Sequence, residues 1–284
     1  PGDLPPEEFR AAAHEVVDWM ADYLASVGDL PVFPSIGPGQ VRAALPSDAP
    51  IRGEPLSEML RDFRDVVVPG LNHWNHPSFF GYFAVSASGP GILGEMLASV
   101  LNVNAMVWRS SPAATELEDV TTDWVRRLIG LDEGFEGVIN DTASSSSLYA
   151  LAAAREVAFP GVGDTGLAGR PAGVVYASDQ AHSSIAKAVI TLGLGREGFR
   201  VVASDAMYRM DVDALRRQIR RDSDAGRRPV AVVATAGTTS TASMDPLAEI
   251  AEVAIRHLRA GGGAIGSGGL LGLISGLAHL HHRL

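Results

Sequence analysis

Three polar stretches carry the side chains best suited to chemistry. The first lies in Val138-Ile-Asn-Asp-Thr-Ala-Ser-Ser-Ser-Ser-Leu148, where a run of small hydroxyl residues separates an apolar strand end from a helix. N–H groups in a helix's first turn have no intrahelical acceptor and attract an anion, and small side chains let a phosphate come close. The stretch predicts a phosphate seat at Thr142, Ala143 and Ser144; a serine-rich helix cap with nothing bound fits the same residues. The second stretch is Asp179-Gln-Ala-His-Ser-Ser184, in which His182 sits in a polar turn. An imidazole there can stack on a flat ring and exchange protons near neutral pH, although a satisfied surface histidine is the plainer reading. The third is Thr235-Ala-Gly-Thr-Thr-Ser240, whose Thr235 and Thr238 can hydrogen-bond a cofactor or phosphate, or merely cap a helix. Lys187 is the only lysine among 23 basic residues, so any lysine chemistry must use it. Its position, five residues after His182 in a predicted helix, is that of an ordinary solvated lysine.

The elements that must position these groups follow from hydrophobic spacing. Leu148, Leu151, Ala152 and Arg155 fall at i, i+3, i+4 and i+7, so a helix begins among Thr142 to Ser147. Residues 173–178, 199–203 and 230–235 are short valine-rich runs, as expected of strands buried on both faces. Between them a helix at 212–221 has Asp211 as N-cap with Met210 and Leu215 as its staple, and Asp245-Pro246 starts another with Leu247, Ile250 and Val253 inward. Alternating strands and helices predict an α/β fold with a mainly parallel sheet, with all three polar stretches at the strands' carboxyl ends, facing one crevice.

Upstream, residues 6–26 form an amphipathic helix with Phe9, Ala13, Val16, Met20, Tyr23 and Leu24 along one stripe. A proline-rich arm over 29–55 is expected to wrap over a surface, and a helix over 56–68 to turn Leu56, Met59, Leu60, Phe63 and Val67 inward. A subunit partner could cover this appendage. Asn72 to Phe83 is dense in aromatics, His and Asn, which suggests a recognition surface, with at least half of Phe79, Phe80 and Phe83 acting as core anchors. His73 and His76 lack a third ligand of suitable spacing, so no metal is expected. Helices over 89–101 and 112–130 follow, the second predicted to bury Leu117, Val120, Trp124 and Leu128.

At 284 residues and 46% hydrophobic content the chain can bury a sizeable core. A formal charge of −10 argues against nucleic acid or an anionic membrane as partner, and the absence of Cys removes disulfide and thiolate chemistry. No basic-then-apolar leader opens the sequence, so the cytoplasm is the expected compartment.

Several segments together resemble the group II pyridoxal-phosphate-dependent amino-acid decarboxylases, the aromatic-L-amino-acid decarboxylase group in particular. They are His73-Trp74, Pro77-Ser-Phe-Phe-Gly-Tyr-Phe83, Ser111-Pro-Ala-Ala-Thr-Glu-Leu-Glu118, Thr142-Ala-Ser144, Ser178-Asp-Gln-Ala-His-Ser-Ser184 and Ala234-Thr-Ala-Gly-Thr-Thr239, in the family's order over about residues 5–257. The resemblance implies a fold type I-like large domain over 86–257, preceded by an arm and substrate-loop segment over 1–85. It also implies pyridoxal 5'-phosphate as cofactor, an L-amino acid as substrate, a homodimer, and loss of the α-carboxylate as the reaction. Ala143 and Ser144 would hold the cofactor phosphate, His182 would stack on the pyridine ring as the catalytic group, and Thr235 would lie beneath it. Trp74, Tyr82, Phe83, Ala84 and Val85 would line the substrate pocket, with Asn104 and Met106 reaching in from the partner subunit. Ala84-Val85 stands where several aromatic-substrate enzymes carry Pro-Thr.

The resemblance also implies an aspartate for the ring nitrogen near position 260 and a lysine for the cofactor's aldehyde near 290. Here the first place reads Ala260-Gly-Gly-Gly-Ala-Ile-Gly-Ser-Gly-Gly269, no Asp follows Asp245, and the second position is beyond the last residue. The chain is therefore expected to be inactive alone. From about His257 the composition turns to Gly, Leu and His, and residues 260–280 carry no charge. A reading-frame shift or a chimeric gene end is the expectation for 258–284, over a membrane span or a divergent inactive relative. The alternatives to decarboxylation are a non-catalytic fold that binds phosphate or a partner subunit, and an aldehyde-forming enzyme.

Overall fold

The computed structural model describes residues 4–82 and 85–260, with side chains as far as His257. Phe83, Ala84 and the tail from 261 lie outside the described residues. The chain divides into two compact units, Pro1–Glu95 and Met96–Leu284.

In the first unit, helix α1 (Pro6–Ser26) carries the predicted stripe, but its ends, Phe9 and Leu24, are exposed. The middle of the stripe finds a partner nearby: Trp19 stacks on Tyr23 at 5.4 Å and meets the edge of Phe63 at 5.0 Å. Phe63 does not continue a regular helix. After α2 (Gln40–Ala44), a short helix inside the proline-rich arm, α3 (Leu56–Asp62) widens into a π turn (Phe63–Val67) and then a 3-10 turn (Val68–Gly70). The predicted helix over 56–68 is thus three pieces, because Pro69 removes the N–H that a continuing α-helix would need. Met59, expected inward, is exposed.

The second unit is built on three parallel strands in the order β2-β1-β3: β1 (Gly173–Ser178), β2 (Phe199–Val202) and β3 (Arg228–Val233). Every residue of central β1 is buried, and its side chains alternate between two cores. Val174 and Tyr176 meet Val202, Met210, Leu215, Ile219, Ile250 and Val253, from β2, from the turn before α9, and from helices α9 (Val212–Asp224) and α10 (Leu247–Ala260). Val175 and Ala177 meet Leu151, Ile185, Ala188 and Val189 on the other face, from α6 (Ala143–Ala158) and α8 (Ser184–Thr191), the one-turn α7 (Val162–Thr165) falling between them in the chain. The expected start of α9 holds: Asp211 accepts from the Ala214 N–H at 2.9 Å, and Met210 and Leu215 are buried.

Two expectations upstream of α6 fail. Helices α4 (Gly89–Leu101) and α5 (Pro112–Leu128) form, yet Leu117, Val120, Trp124 and Leu128 are exposed, Leu117 at 65% and Trp124 at 59%. Val138, expected to end a strand, is 71% exposed in irregular chain; the Ile139 N–H bonds the Glu118 carboxylate at 2.7 Å instead of a neighbouring strand. Among the described residues those side chains of α5 stay exposed and no strand pairs with 136–140, and apolar periodicity reports only that a face is fit for burial.

Close backbone approach fixes one glycine between α8 and β2. A Cβ on Gly198 would sit 2.8 Å from the carbonyl oxygen of Gly173, a contact that no side-chain rotation relieves. Gly198→Ala is expected to cost about 1–3 kcal/mol, read as a lower midpoint in urea unfolding with an unchanged slope.

Candidate functional site

The direction of α6 decides whether the three polar stretches meet. Arg155, in its last turn, donates to the Leu192 carbonyl at the end of α8 at 2.8 Å, so the two helices run the same way. Phe159, just past α6, lies where a Cβ on Gly173 would touch it at 2.9 Å, at the amino end of β1. The start of α6 therefore lies at the sheet's carboxyl edge. His182 follows β1 by four residues and Thr235 follows β3 by two, and these strands are neighbours, so both leave at that same edge.

At the start of α6, Thr142 is the N-cap: its hydroxyl accepts from the Ser145 N–H at 3.2 Å and its carbonyl from the Ser146 N–H at 3.1 Å. The preceding N–H groups, on Ala143 and Ser144, take no acceptor among the described residues, and Ser144 is exposed. Two open donors at a helix start beside small side chains fit a phosphate. The chemistry of this donor set therefore suits the phosphate end of pyridoxal 5'-phosphate, with the flat ring of His182 available on the same edge.

After β3, the Thr235 turn is held by Asp245. The Asp245 carboxylate accepts from the Thr235 N–H at 2.8 Å and from the Met210 N–H at 2.7 Å, while the Asp245 N–H donates to the Thr235 carbonyl at 2.9 Å. Asp245 is buried, and burial raises its carboxyl above the ordinary carboxylate range against the pull of the two N–H bonds. Sequence reading took Asp245 only as a helix start, because bonds to residues 10 and 35 positions away leave no local pattern. Thr238, buried, bonds Thr241 at 2.6 Å inside the same turn. At the end of β1, Asp179 accepts from Gln180 and from the Ser204 N–H; burial alone would raise its carboxyl, but these bonds hold it below the usual range. The Ser178 hydroxyl beside it is buried with no partner among the described residues.

Among the described residues, neither the lysine nor the aspartate that the resemblance implies stands free at this edge. Lys187 lies on the exposed side of α8, as expected of a solvated lysine, and the buried Asp245 carboxylate is engaged by two main-chain N–H groups.

The residues assigned to substrate fall into both units. In the first, Trp74 stacks on Phe79 at 4.8 Å and on Tyr82 at 5.7 Å; Phe79 is buried, whereas Phe80 is 90% exposed. Val85 is half-buried. His73 and His76 have structural partners: His73 Nδ1 pairs with the Tyr23 hydroxyl at 2.9 Å, and His76 donates to the Gly28 carbonyl at 3.1 Å. In the second unit Asn104 and Met106 are exposed, joined by a bond of 2.9 Å from the Met106 N–H to the Asn104 side chain.

Residues 38–259 match the pyridoxal-dependent decarboxylase conserved domain. The chain is 42% identical over 264 residues to a tyrosine decarboxylase of Oryza sativa subsp. japonica, covering 89% of this chain and 49% of that protein. It is 40% identical to a phenylacetaldehyde synthase of Petunia hybrida, covering 88% and 51%. The fold superposes on the crystal structure of Oryza sativa TDC with PLP and tryptamine with a TM-score of 0.86 at 35% identity, over 90% of this chain and 54% of that one. The chain thus spans about half the length of the curated relatives it matches, and the expected fold type I α/β architecture holds over the superposed part.

Proposed function

The chain belongs to the family of pyridoxal-phosphate-dependent amino-acid decarboxylases, and from that membership we propose that the whole protein removes the α-carboxylate of an aromatic L-amino acid as a homodimer. The observation that carries this reading is the meeting of an open helix start, His182 and Thr235 at one sheet edge. In it, the N–H groups of Ala143 and Ser144 would hold the cofactor phosphate, and the Thr142 cap holds that turn in place. His182 would stack on the cofactor ring, and Thr235, fixed by Asp245, would contact the cofactor. Bound there, pyridoxal 5'-phosphate supplies the electron sink that lets the bond to the carboxylate break. We assign Trp74, Tyr82, Phe83, Ala84 and Val85 to the substrate pocket, and Asn104 and Met106 to the pocket of the partner subunit.

By themselves these 284 residues are expected to bind the cofactor weakly and to turn nothing over. Their one lysine is on the exposed side of α8, and Asp245, the last aspartate, is engaged by main-chain N–H groups. Equilibrium dialysis against pyridoxal 5'-phosphate, followed by carbon dioxide detection with tyrosine, tryptophan and dihydroxyphenylalanine, checks both points. Saturable binding without carbon dioxide is the expected result; measurable turnover would overturn the inactivity. The likeness to a phenylacetaldehyde synthase favours a second reading, in which the whole protein forms an aldehyde. Ammonia and hydrogen peroxide among the products of the full-length enzyme would select it.

A further inference from the structure

We infer that Ser184 is a positioning residue that fixes the ring tautomer of His182, leaving Nε2–H as the group His182 presents at the sheet's carboxyl edge. The inference rests on the proposed role of His182 for its importance, but not for its geometry. The Ser184 main-chain N–H points at His182 Nδ1 at 3.2 Å, and the Ser184 hydroxyl lies 2.9 Å from the same atom. A main-chain N–H can only donate, so Nδ1 must accept through its in-plane lone pair and carries no hydrogen. The neutral ring then holds its proton on Nε2. The Ser184 hydroxyl, facing an accepting nitrogen, donates as well.

The helix start explains why the ring is held. Ser184 is the first residue of α8, and its N–H belongs to the first turn, where no intrahelical acceptor exists. Ser183, at the N-cap position, makes no side-chain capping bond. The imidazole takes over as cap, and Ser184, buried at 8% exposure, has little freedom to turn its hydroxyl elsewhere.

The same His-X-Ser arrangement occurs once more, at His76, and shows what the second nitrogen then does. The Ser78 N–H donates to His76 Nδ1 at 2.9 Å, and His76 Nε2 faces the Gly28 carbonyl at 3.1 Å, an acceptor that requires a hydrogen on Nε2. There the Nε2–H is consumed in structure. At His182 the Nε2 has no partner among the described residues, and the residue is exposed. One local motif therefore yields a structural histidine in one place and a donor open to a ligand in the other.

The test is two-bond 15N–1H correlation of the ring nitrogens in the full 284-residue chain labelled at histidine, with the His182 signals assigned by their disappearance in His182→Asn. The expected pattern is a pyridine-like Nδ1 and a pyrrole-like Nε2. In Ser184→Pro, which removes the main-chain N–H that makes Nδ1 an acceptor, the two 15N shifts should move toward each other as the ring samples both tautomers, whereas Ser184→Ala, which keeps that N–H, should retain the separation. A merely structural serine would leave the tautomer unmoved in Ser184→Pro. A pyrrole-like Nδ1 in the unmodified chain, or an unchanged pattern in Ser184→Pro, overturns the inference. Titrating the same samples with pyridoxal 5'-phosphate separates the two levels. The expected tautomer without cofactor binding supports the role of Ser184 and removes the cofactor reading, whereas binding with Nδ1 protonated removes the role of Ser184 alone.

Discussion

Asp222→Ala is expected to destabilise the second unit by about 3 kcal/mol. The carboxylate is buried between α9 and the sheet. It accepts from the Tyr176 hydroxyl at 3.1 Å and from Arg200 Nη2 at 2.8 Å and Nε at 3.0 Å, with Arg227 at 3.7 Å. Removing it strands three donors, but not equally. Arg200 and Arg227 are partly exposed and can turn to water, which discounts their share. The Tyr176 hydroxyl is wholly enclosed under α9, and an unpaired buried hydroxyl keeps its full desolvation cost. Thermal unfolding should show a midpoint lower by on the order of 10 °C, and Asp222→Asn, which keeps an acceptor, should lose clearly less.

The pH dependence of that difference follows from the charges. Burial alone would raise the Asp222 carboxyl, but the bonds from Arg200 and Tyr176 and the nearby cations outweigh it and hold it below the ordinary range. A carboxyl depressed in the folded state contributes stability above its unfolded value, about 3.9, and loses it as pH falls toward the folded value. The gap between the unmodified chain and Asp222→Ala should therefore be full at neutral pH and shrink below about pH 4. A gap that is flat down to pH 3 would contradict this account of the network.

The second large effect concerns binding. Ser144→Asp is expected to weaken pyridoxal 5'-phosphate binding about tenfold to a hundredfold, equivalent to roughly 1.4–2.8 kcal/mol. Ser144 is exposed in the first turn of α6, so the new carboxylate would occupy the seat proposed for the phosphate and repel it. The same carboxylate interacts favourably with the helix's amino end, by about 0.3–1 kcal/mol. Folding stability should accordingly hold or rise while affinity falls, which excludes unfolding as the reason for the loss. Equilibrium dialysis beside urea unfolding reads both quantities, and undiminished affinity in Ser144→Asp would remove the phosphate from this helix start.

Much of the fold could be read directly from the residues. The strands at 173, 199 and 230 announce themselves as valine-rich runs, although only β1 is covered on both faces as expected and Val201 of β2 is exposed; α9 is legible because Asp211 and its staple are local features. The same reasoning overreaches at Val138 and on α5, where apolar spacing predicts burial and the side chains are exposed. It also passed over the residues that tie the site together. Asp245 reads as a helix start, and Ser184 as one more small residue in a polar turn.

By itself, then, the sequence determined which residue types stand at each element's end: small hydroxyl residues before α6, a histidine after β1, a threonine after β3. Those assignments depend on contacts within a few positions, and such contacts leave periodic or positional marks. Only the tertiary structure decided that α6 runs with α8, so that its open N–H groups lie at the same edge as His182 and Thr235. It alone decided that Asp245 would clamp Thr235, 10 residues away, to Met210, 35 residues away, and that the second ring nitrogen of His182 would stay open while that of His76 is used. Those outcomes depend on which groups chain folding brings within hydrogen-bond distance, and nothing in the local order of residues encodes that distance.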